Sequence, residues 1–208
     1  MLRVARGLWG GAFALGLFIL ACPVAAHAQV TVSMETGQLL ANDGLRPGQA
    51  RWLPEAATAT GPVSIVVSLP LQRAWVFRGE TLAGVATVST GQPGYDTPTG
   101  TFPILQKRVD HRSNLYDNAP MPFMQRLTWD GIALHAGAIP GGPASHGCIR
   151  LPKTFAAKLY AATELGAAVM IIDDAPSPEA AYAMMSGRTF EAAMGGPEEP
   201  VDQAGGAP

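Results

Sequence analysis

Glycine and proline interrupt this chain often enough to suit a β-rich fold more than a helical bundle: there are 24 glycines and 18 prolines among 208 residues. Glycine admits turn conformations, and proline removes a backbone donor and holds φ near its turn value. A sequence rich in both therefore builds many turns and short connections. The apolar segments between the breaks are short. Val63 to Leu69 (V-S-I-V-V-S-L) is dense in β-branched residues and predicts a strand. Arg73 to Phe77 and Thr81 to Ser89 predict two more, joined by a hairpin turn at Arg78-Gly79-Glu80. Thr101 to Lys107, Gly131 to His135 and Val169 to Ile172 read as further short strands. Helical spacing is confined to Lys153 to Leu165, where Phe155, Leu159, Ala162 and Leu165 recur and Gly166 is expected as the C-terminal cap. A short helix is also expected after Ser177-Pro178-Glu179, with Ser as cap and Pro at the first position. With 48% hydrophobic residues the chain can bury a core, and the expected class is mainly β with a few short helices.

The first 28 residues have a different character. Arg3 and Arg6 form a basic start, an apolar run follows from Leu8 to Ala21, and Ala26-His27-Ala28 reads as a small-x-small cleavage site before Gln29. The run is about fourteen residues long, short of the ~20 needed to span a bilayer, so residues 1–28 read as a signal peptide and not as a membrane span. The expected location is exported, in the periplasm or at the cell wall. Ile19-Leu20-Ala21-Cys22 loosely resembles a lipoprotein signal, and the alternative is a lipid on Cys22. Residues 29–61 carry Gly44, Pro47, Gly48, Pro54 and Gly61 with no sustained period and read as an irregular leader or linker. Residues 62–174 hold the regular elements, and 175–208 read as a short helix followed by a Gly/Pro/Glu-rich tail. A formal net charge of −2 gives no reason to expect nucleic acid or an anionic membrane as partner.

Removal of the signal leaves Cys148 as the only cysteine, unable to form an internal disulfide in an oxidising compartment. A lone thiol there is either a buried hydrophobe or a nucleophile. Its neighbours favour the second reading. His146 stands two residues before it and, in an extended segment, would share its side. His135 ends an expected strand, from which the loop Gly137 to Ala144 can fold back toward the thiol. Either histidine can serve as the base a thiol requires near neutral pH. The amides of Gly147 and Cys148 are candidates for an oxyanion hole. Ser145 is a further candidate for the site, and Arg150 is a fork-shaped donor suited to a carboxylate. The segment 108–128, polar and broken by Pro120 and Pro122, is too long for a turn and suits a functional flap.

Ser145-His146-Gly147-Cys148-Ile149-Arg150-Leu151, preceded by His135, resembles the signature of the L,D-transpeptidase catalytic domain family, the YkuD type. Val88-Ser89-Thr90-Gly91 and Thr97-Pro98-Thr99-Gly100-Thr101-Phe102 resemble its other recurring segments. The resemblance covers about Val63 to Asp173 and implies a β-sandwich-like catalytic domain, here residues 62–174, with a cleft. It implies acyl transfer on peptidoglycan stem peptides without cofactor or metal. Cys148 would attack the third stem residue and expel the terminal D-alanine. His135 would be the base, His146 would shape the site or assist, and Arg150 would hold a substrate carboxylate or brace the loop. The acceptor would be a second stem peptide, a wall-anchored protein or water, the last making the enzyme an L,D-carboxypeptidase. Many relatives carry Gly or Ser after the first histidine. Ala136 stands here, so a backbone carbonyl would have to orient His135.

Two readings of other classes compete. His135, His146 and Cys148 could be three zinc ligands, although no carboxylate stands beside them at motif spacing. A non-catalytic peptidoglycan-binding module would be expected to lack the cysteine or the histidine, and this chain has both.

Overall fold

The computed structural model describes residues 44–187. The expected signal segment, Cys22, the first part of the leader and the tail beyond residue 187 lie outside the described residues. Two sheets form the body. One has six strands: β1 (Ala50–Trp52), β2 (Val63–Ser68), β3 (Arg73–Arg78), β4 (Thr81–Thr87), β5 (Gly100–Pro103) and β10 (Ala168–Ile172). Their order across the sheet is β1-β4-β3-β2-β10-β5, antiparallel except for the parallel pair of β2 with β10. The other sheet runs in the order β6 (Gln106–Arg108), β7 (Met124–Arg126), β8 (Ala133–Ala136) and β9 (Ile149–Leu151), with β8 and β9 parallel. Two α-helices, α1 (Lys153–Ala162) and α2 (Pro178–Ser186), and a short 3-10 helix at Pro54–Ala57 complete the described fold. The class is mainly β, as the sequence predicts.

The apolar residues of β2 and β3 run on without alternating because both faces of the six-stranded sheet are covered. Ile65, Val67, Ala74 and Val76 point to one side, where they meet Leu134, Ile149 and Leu151 of the second sheet and Phe155 and Leu159 of α1. Val66, Trp75 and Phe77 point to the other, where Ala181, Tyr182 and Met185 of α2 cover them. The two faces divide the successive residues of each strand between two cores.

The structure changes four expectations. Part of the segment read as irregular leader belongs to the sheet: β1 pairs antiparallel with β4, and Trp52 meets the Phe155 ring edge-on at 5.4 Å. Gly84 of β4 makes room for both rings, since a Cβ there would lie 3.0 Å from each. A three-residue strand held by backbone pairing leaves almost no periodic signal. Second, Thr101 to Lys107 is two strands in different sheets. Between them the Ile104 amide donates to Ala167 O at 3.0 Å and the Leu105 amide to Arg126 O at 2.8 Å, so the chain crosses from one sheet to the other through the core. Third, α1 stops at Ala162, with Thr163 as an extended C-cap. The Thr163 hydroxyl donates to Gln125 Oε1 at 2.6 Å, drawing the chain toward the second sheet before Gly166 is reached. Leu165 is consequently exposed. Fourth, the expected flap contains β7, which leaves residues 109–123 as the loop. Helix α2 starts as expected: Ser177 Oγ accepts from the Ala180 amide at 3.3 Å, with Pro178 next in line.

Candidate active site

Strand alternation and register together build the site. In the parallel pair of β8 and β9, Leu134 faces Ile149, His135 faces Arg150 and Ala136 faces Leu151. Leu134, Ile149 and Leu151 enter the core with essentially no exposure. The alternate residues Ala133, His135, Cys148 and Arg150 therefore face the other way, and all four line a cavity of about 710 Å³. Cys148 stands one residue before β9. Its thiol donates to Gly131 O at 3.3 Å and packs against Met121, Met124 and Ala133. The flap residues 109–123 contribute much of the remaining wall.

His135 is held by its own strand. Its Nδ1 lies 2.9 Å from Ala136 O. A carbonyl can only accept, so Nδ1 carries the proton of the neutral ring and Nε2 keeps the lone pair. The backbone thus supplies the orientation that Ala136, with no polar side chain, cannot. Burial lowers the His135 pKa below its ordinary 6.5; the bond to Ala136 opposes this, and the nearby Arg150 and His111 add to it. Burial raises the Cys148 thiol above its ordinary 9.0, opposed by a hydrogen bond with the Ala133 backbone and by Arg150 and Arg126. Both shifts favour uncharged partners at rest: a thiol and a neutral imidazole, not a thiolate–imidazolium pair.

Two sequence expectations about the loop are corrected. Gly147 has φ of +105°, so the segment before Cys148 turns and the extended alternation assumed for His146 does not hold. His146 is exposed at the cavity wall, its ring stacked on Tyr116 at 4.4 Å and set edge-on to Tyr95 at 4.5 Å. Ser145 Oγ donates to Cys148 O at 2.5 Å and accepts from the Gly147 amide at 3.1 Å. The Gly147 amide is thus spent inside the turn instead of facing an oxyanion, and the Ser145 hydroxyl braces the loop. The amide of Cys148 itself remains the candidate oxyanion donor.

Sequence reasoning missed the residues that hold this loop from beneath. Thr97 Oγ1 donates to Gly147 O at 2.8 Å and accepts from the Gly91 amide at 2.8 Å. Thr90 O accepts from the amides of Ala144 and Ser145, both at 3.0 Å. Ser89 Oγ donates to Gly142 O at 2.7 Å, and its backbone pairs with that of Arg150. The S-T-G and T-P-T-G segments were visible in the sequence, but their role as loop supports was not. Tyr95, Tyr116 and the cavity-lining His111 and Arg126 left no spacing signal either. The zinc arrangement is not assembled: among the described residues no group of three or more His, Cys, Asp or Glu side chains is placed to share a metal ion. Nor is any described helix long and apolar enough to cross a membrane.

The model of the YkuD L,D-transpeptidase catalytic domain matches residues 62–171. Among solved structures, an L,D-transpeptidase from Stackebrandtia nassauensis is 29% identical over 55% of this chain and 57% of that chain, with a TM-score of 0.50. One from Mycobacterium tuberculosis is 25% identical over 53% of this chain and 57% of that chain, with a TM-score of 0.51. One from Xylanimonas cellulosilytica shares the fold at 20% identity, covering 66% of this chain and 69% of that chain, with a TM-score of 0.51. The chain spans just over half the length of the first two. No curated protein matches it.

Proposed function

The chain belongs to the YkuD family of L,D-transpeptidase catalytic domains, and from that premise we propose that it is an exported cysteine acyltransferase acting on peptidoglycan stem peptides. The observation that carries this reading is the shared cavity face of Cys148, His135 and Arg150, with the lone pair of His135 left on Nε2 by the Ala136 carbonyl.

The chemistry follows from these residues. His135 Nε2 takes the thiol proton as Cys148 Sγ bonds to the carbonyl carbon of the third stem residue. The carbonyl oxygen becomes an oxyanion, met by the Cys148 amide and by the positive field of Arg150 and Arg126. The tetrahedral adduct collapses. The C–N bond breaks, the proton on His135 passes to the departing amine of D-alanine, and a thioester remains. An amine acceptor then attacks the thioester, giving its proton to His135, and the thiol is regenerated as the new amide forms. Energy held in the thioester lets one amide be exchanged for another without a nucleotide, which suits a compartment outside the cytoplasm. His146, stacked on Tyr116 and set edge-on to Tyr95, shapes the wall.

Cys148→Ala should fold, bind a tetrapeptide stem and turn over none of it. Intact-protein mass spectrometry of the wild type with that donor should show a thioester on Cys148. Retained turnover by Cys148→Ala would refute the proposal. Supplying a second stem peptide, an amine-bearing protein or water alone identifies the acceptor from the product mass.

A further inference from the structure

The flap over the cavity is a hairpin that grows out of β6 and β7. Backbone bonds carry their pairing beyond Arg108 and Met124. The Phe123 amide donates to Val109 O at 2.8 Å, the Met121 amide to His111 O at 2.8 Å and the Ser113 amide to Ala119 O at 2.9 Å. At the tip, Asp117 and Asn118 have φ of +41° and +50°, and the Ala119 amide donates to Tyr116 O at 2.9 Å, a two-residue turn of the kind hairpins favour. A two-stranded ribbon is only marginally stable by itself, so its anchors decide where it lies. The tip rests on His146, whose ring is stacked on Tyr116 at 4.4 Å. The root rests on α1.

The root contacts converge on one helix end. Lys107 and Gln125 are register partners just below the flap. Lys107 Nζ donates to Tyr160 O and to Thr163 O, both at 2.6 Å, and lies 4.4 Å from the centre of the Tyr160 ring. Thr163 Oγ1 donates to Gln125 Oε1 at 2.6 Å, so the second strand is tied to the same turn. The Phe123 ring centre lies 6.0 Å from that of Tyr160. Phe123 has φ of +57°, which an L side chain rarely adopts, and the kink lets Met121 and Met124 share one face against Cys148 despite their odd spacing. The last turn of α1 carries no basic residue of its own, and the carbonyls of a helix C-terminus are unpaired and electronegative. The cation that meets them comes from β6. Burial lowers the Lys107 pKa, opposed by Glu164, as expected of an ammonium drawn out of water to make these bonds. Gln125 Nε2, by contrast, is buried with no partner among the described residues, so the weight of the joint falls on Lys107. Lys107, Gln125, Tyr160 and Thr163 do not line the cavity, so they act on it through the flap.

We propose that the last turn of α1 anchors the flap, with Lys107 as the positioning residue whose bonds to Tyr160 O and Thr163 O hold the hairpin root and keep the flap closed over the cavity. The kinetic consequence rests on the acyl-transfer reading above; the closure itself does not. A flap that is closed for only a fraction of the time weakens the apparent affinity for the donor by that fraction. It leaves the chemistry of Cys148 and His135 unchanged once the donor is bound.

Lys107→Met keeps the length of the side chain and removes its charge and donors, whereas Lys107→Arg keeps both. Hydrogen exchange at the amides of Ser113, Ala119 and Met121, followed by NMR, reports flap opening, with the amides of β2 and β3 as the internal reference. Steady-state kinetics on a tetrapeptide donor give KM and kcat, and calorimetry on the same variants carrying Cys148→Ala gives Kd. In Lys107→Met the flap amides should exchange roughly 10-fold faster, and KM and Kd should rise roughly 3- to 10-fold, the scale of part-exposed charge-assisted hydrogen bonds. The reference amides and kcat should hold. Lys107→Arg should recover most of the loss. Tyr160→Leu, which removes the ring shared by Lys107 and Phe123, should shift exchange and KM in the same direction, and it decides the matter if Lys107→Met fails to fold. Unchanged flap exchange, equal acceleration in β2 and β3, or a fall in kcat with KM unmoved would overturn the inference. Faster flap exchange and weaker binding with no turnover by any of the proteins refutes the acyl-transfer reading and leaves this one standing. Normal turnover with unchanged flap exchange refutes this one alone.

Discussion

Replacing Ser145 by alanine tests the loop architecture most directly. Ser145 is buried, and its hydroxyl makes two bonds within three residues: it donates to Cys148 O at 2.5 Å and accepts from the Gly147 amide at 3.1 Å. The substitution leaves a buried amide and a carbonyl without those partners. Each orphaned group costs about 1–3 kcal/mol, so a loss of about 2–4 kcal/mol is expected after partial relaxation. For a domain of this size that corresponds to a fall in Tm of roughly 5–15 °C. Activity should fall as well, because the same two bonds fix the Cys148 backbone whose amide is the proposed oxyanion donor, and the loss should appear in kcat more than in KM. Thr97→Val is the companion variant: Thr97 holds Gly147 by its carbonyl as Ser145 holds it by its amide. The double variant should be less than additively destabilised, since one released loop cannot be released twice. Thermal denaturation followed by circular dichroism, with kinetics on a tetrapeptide donor, checks both. A Ser145→Ala protein with Tm within a degree of wild type and unchanged kcat would refute the reasoning; the Gly147 amide would then be free to serve the oxyanion after all.

Other predictions follow from the same geometry. His135→Ala should lose roughly 10²–10⁴-fold in kcat/KM, the scale of general-base assistance, while His146→Ala should weaken the flap contacts and change KM more; the reverse pattern in steady-state kinetics would exchange their roles. Because His135 is held below 6.5 and Cys148 above 9.0, the acid limb of kcat/KM should lie below 6.5, and slow alkylation by iodoacetamide should rise only as pH passes 9.0; fast alkylation near pH 6 would show an ion pair instead. The same shifts set the sign for stability. His135 has a lowered folded pKa, so its contribution is present above 6.5 and is lost as pH falls through that folded value; Cys148 has a raised one, so its contribution is lost as pH rises past it. Urea denaturation across pH should show both losses in the wild type, and His135→Asn should show a smaller acid one, the remainder coming from His111, whose pKa is also lowered by burial. N-terminal sequencing of exported protein should begin at Gln29; a lipid-modified Cys22 would instead tether the enzyme to a membrane.

Most of the fold was legible in local pattern. The β-branched density of β2, the hairpin at Gly79, the apolar run of β10 and the Ser177-Pro178 start of α2 each obey a rule that acts over a few residues. The failures share a cause in long-range pairing. β1 exists because β4 offers it an edge, and the break after Pro103 exists because Ala167 and Arg126 draw successive amides toward two different sheets. Helix α1 ends at Ala162 because Thr163 finds Gln125, distant in sequence. In the site, the candidate nucleophile and its candidate base were legible because their chemistry is rare in one short stretch. Arg126, His111, Tyr116 and Thr97 were not, since common residue types far from Cys148 carry no mark of what they will touch.

The sequence by itself determined the class of the domain, the lone thiol in the chain after its leader, and the two histidines near it; these depend on residue identity and on spacings of a few residues. The tertiary structure alone decided which atoms face one another. The parallel register of β8 with β9 set His135, Cys148 and Arg150 on one face and sent Leu134 and Ile149 into the core. The positive φ at Gly147 turned its amide to Ser145 instead of to the cavity. The pairing of β7 with β8 brought Arg126 to the far side of the thiol. A strand pattern specifies that alternate residues share a face, but only the partner strand, chosen by packing across the whole domain, specifies what that face meets.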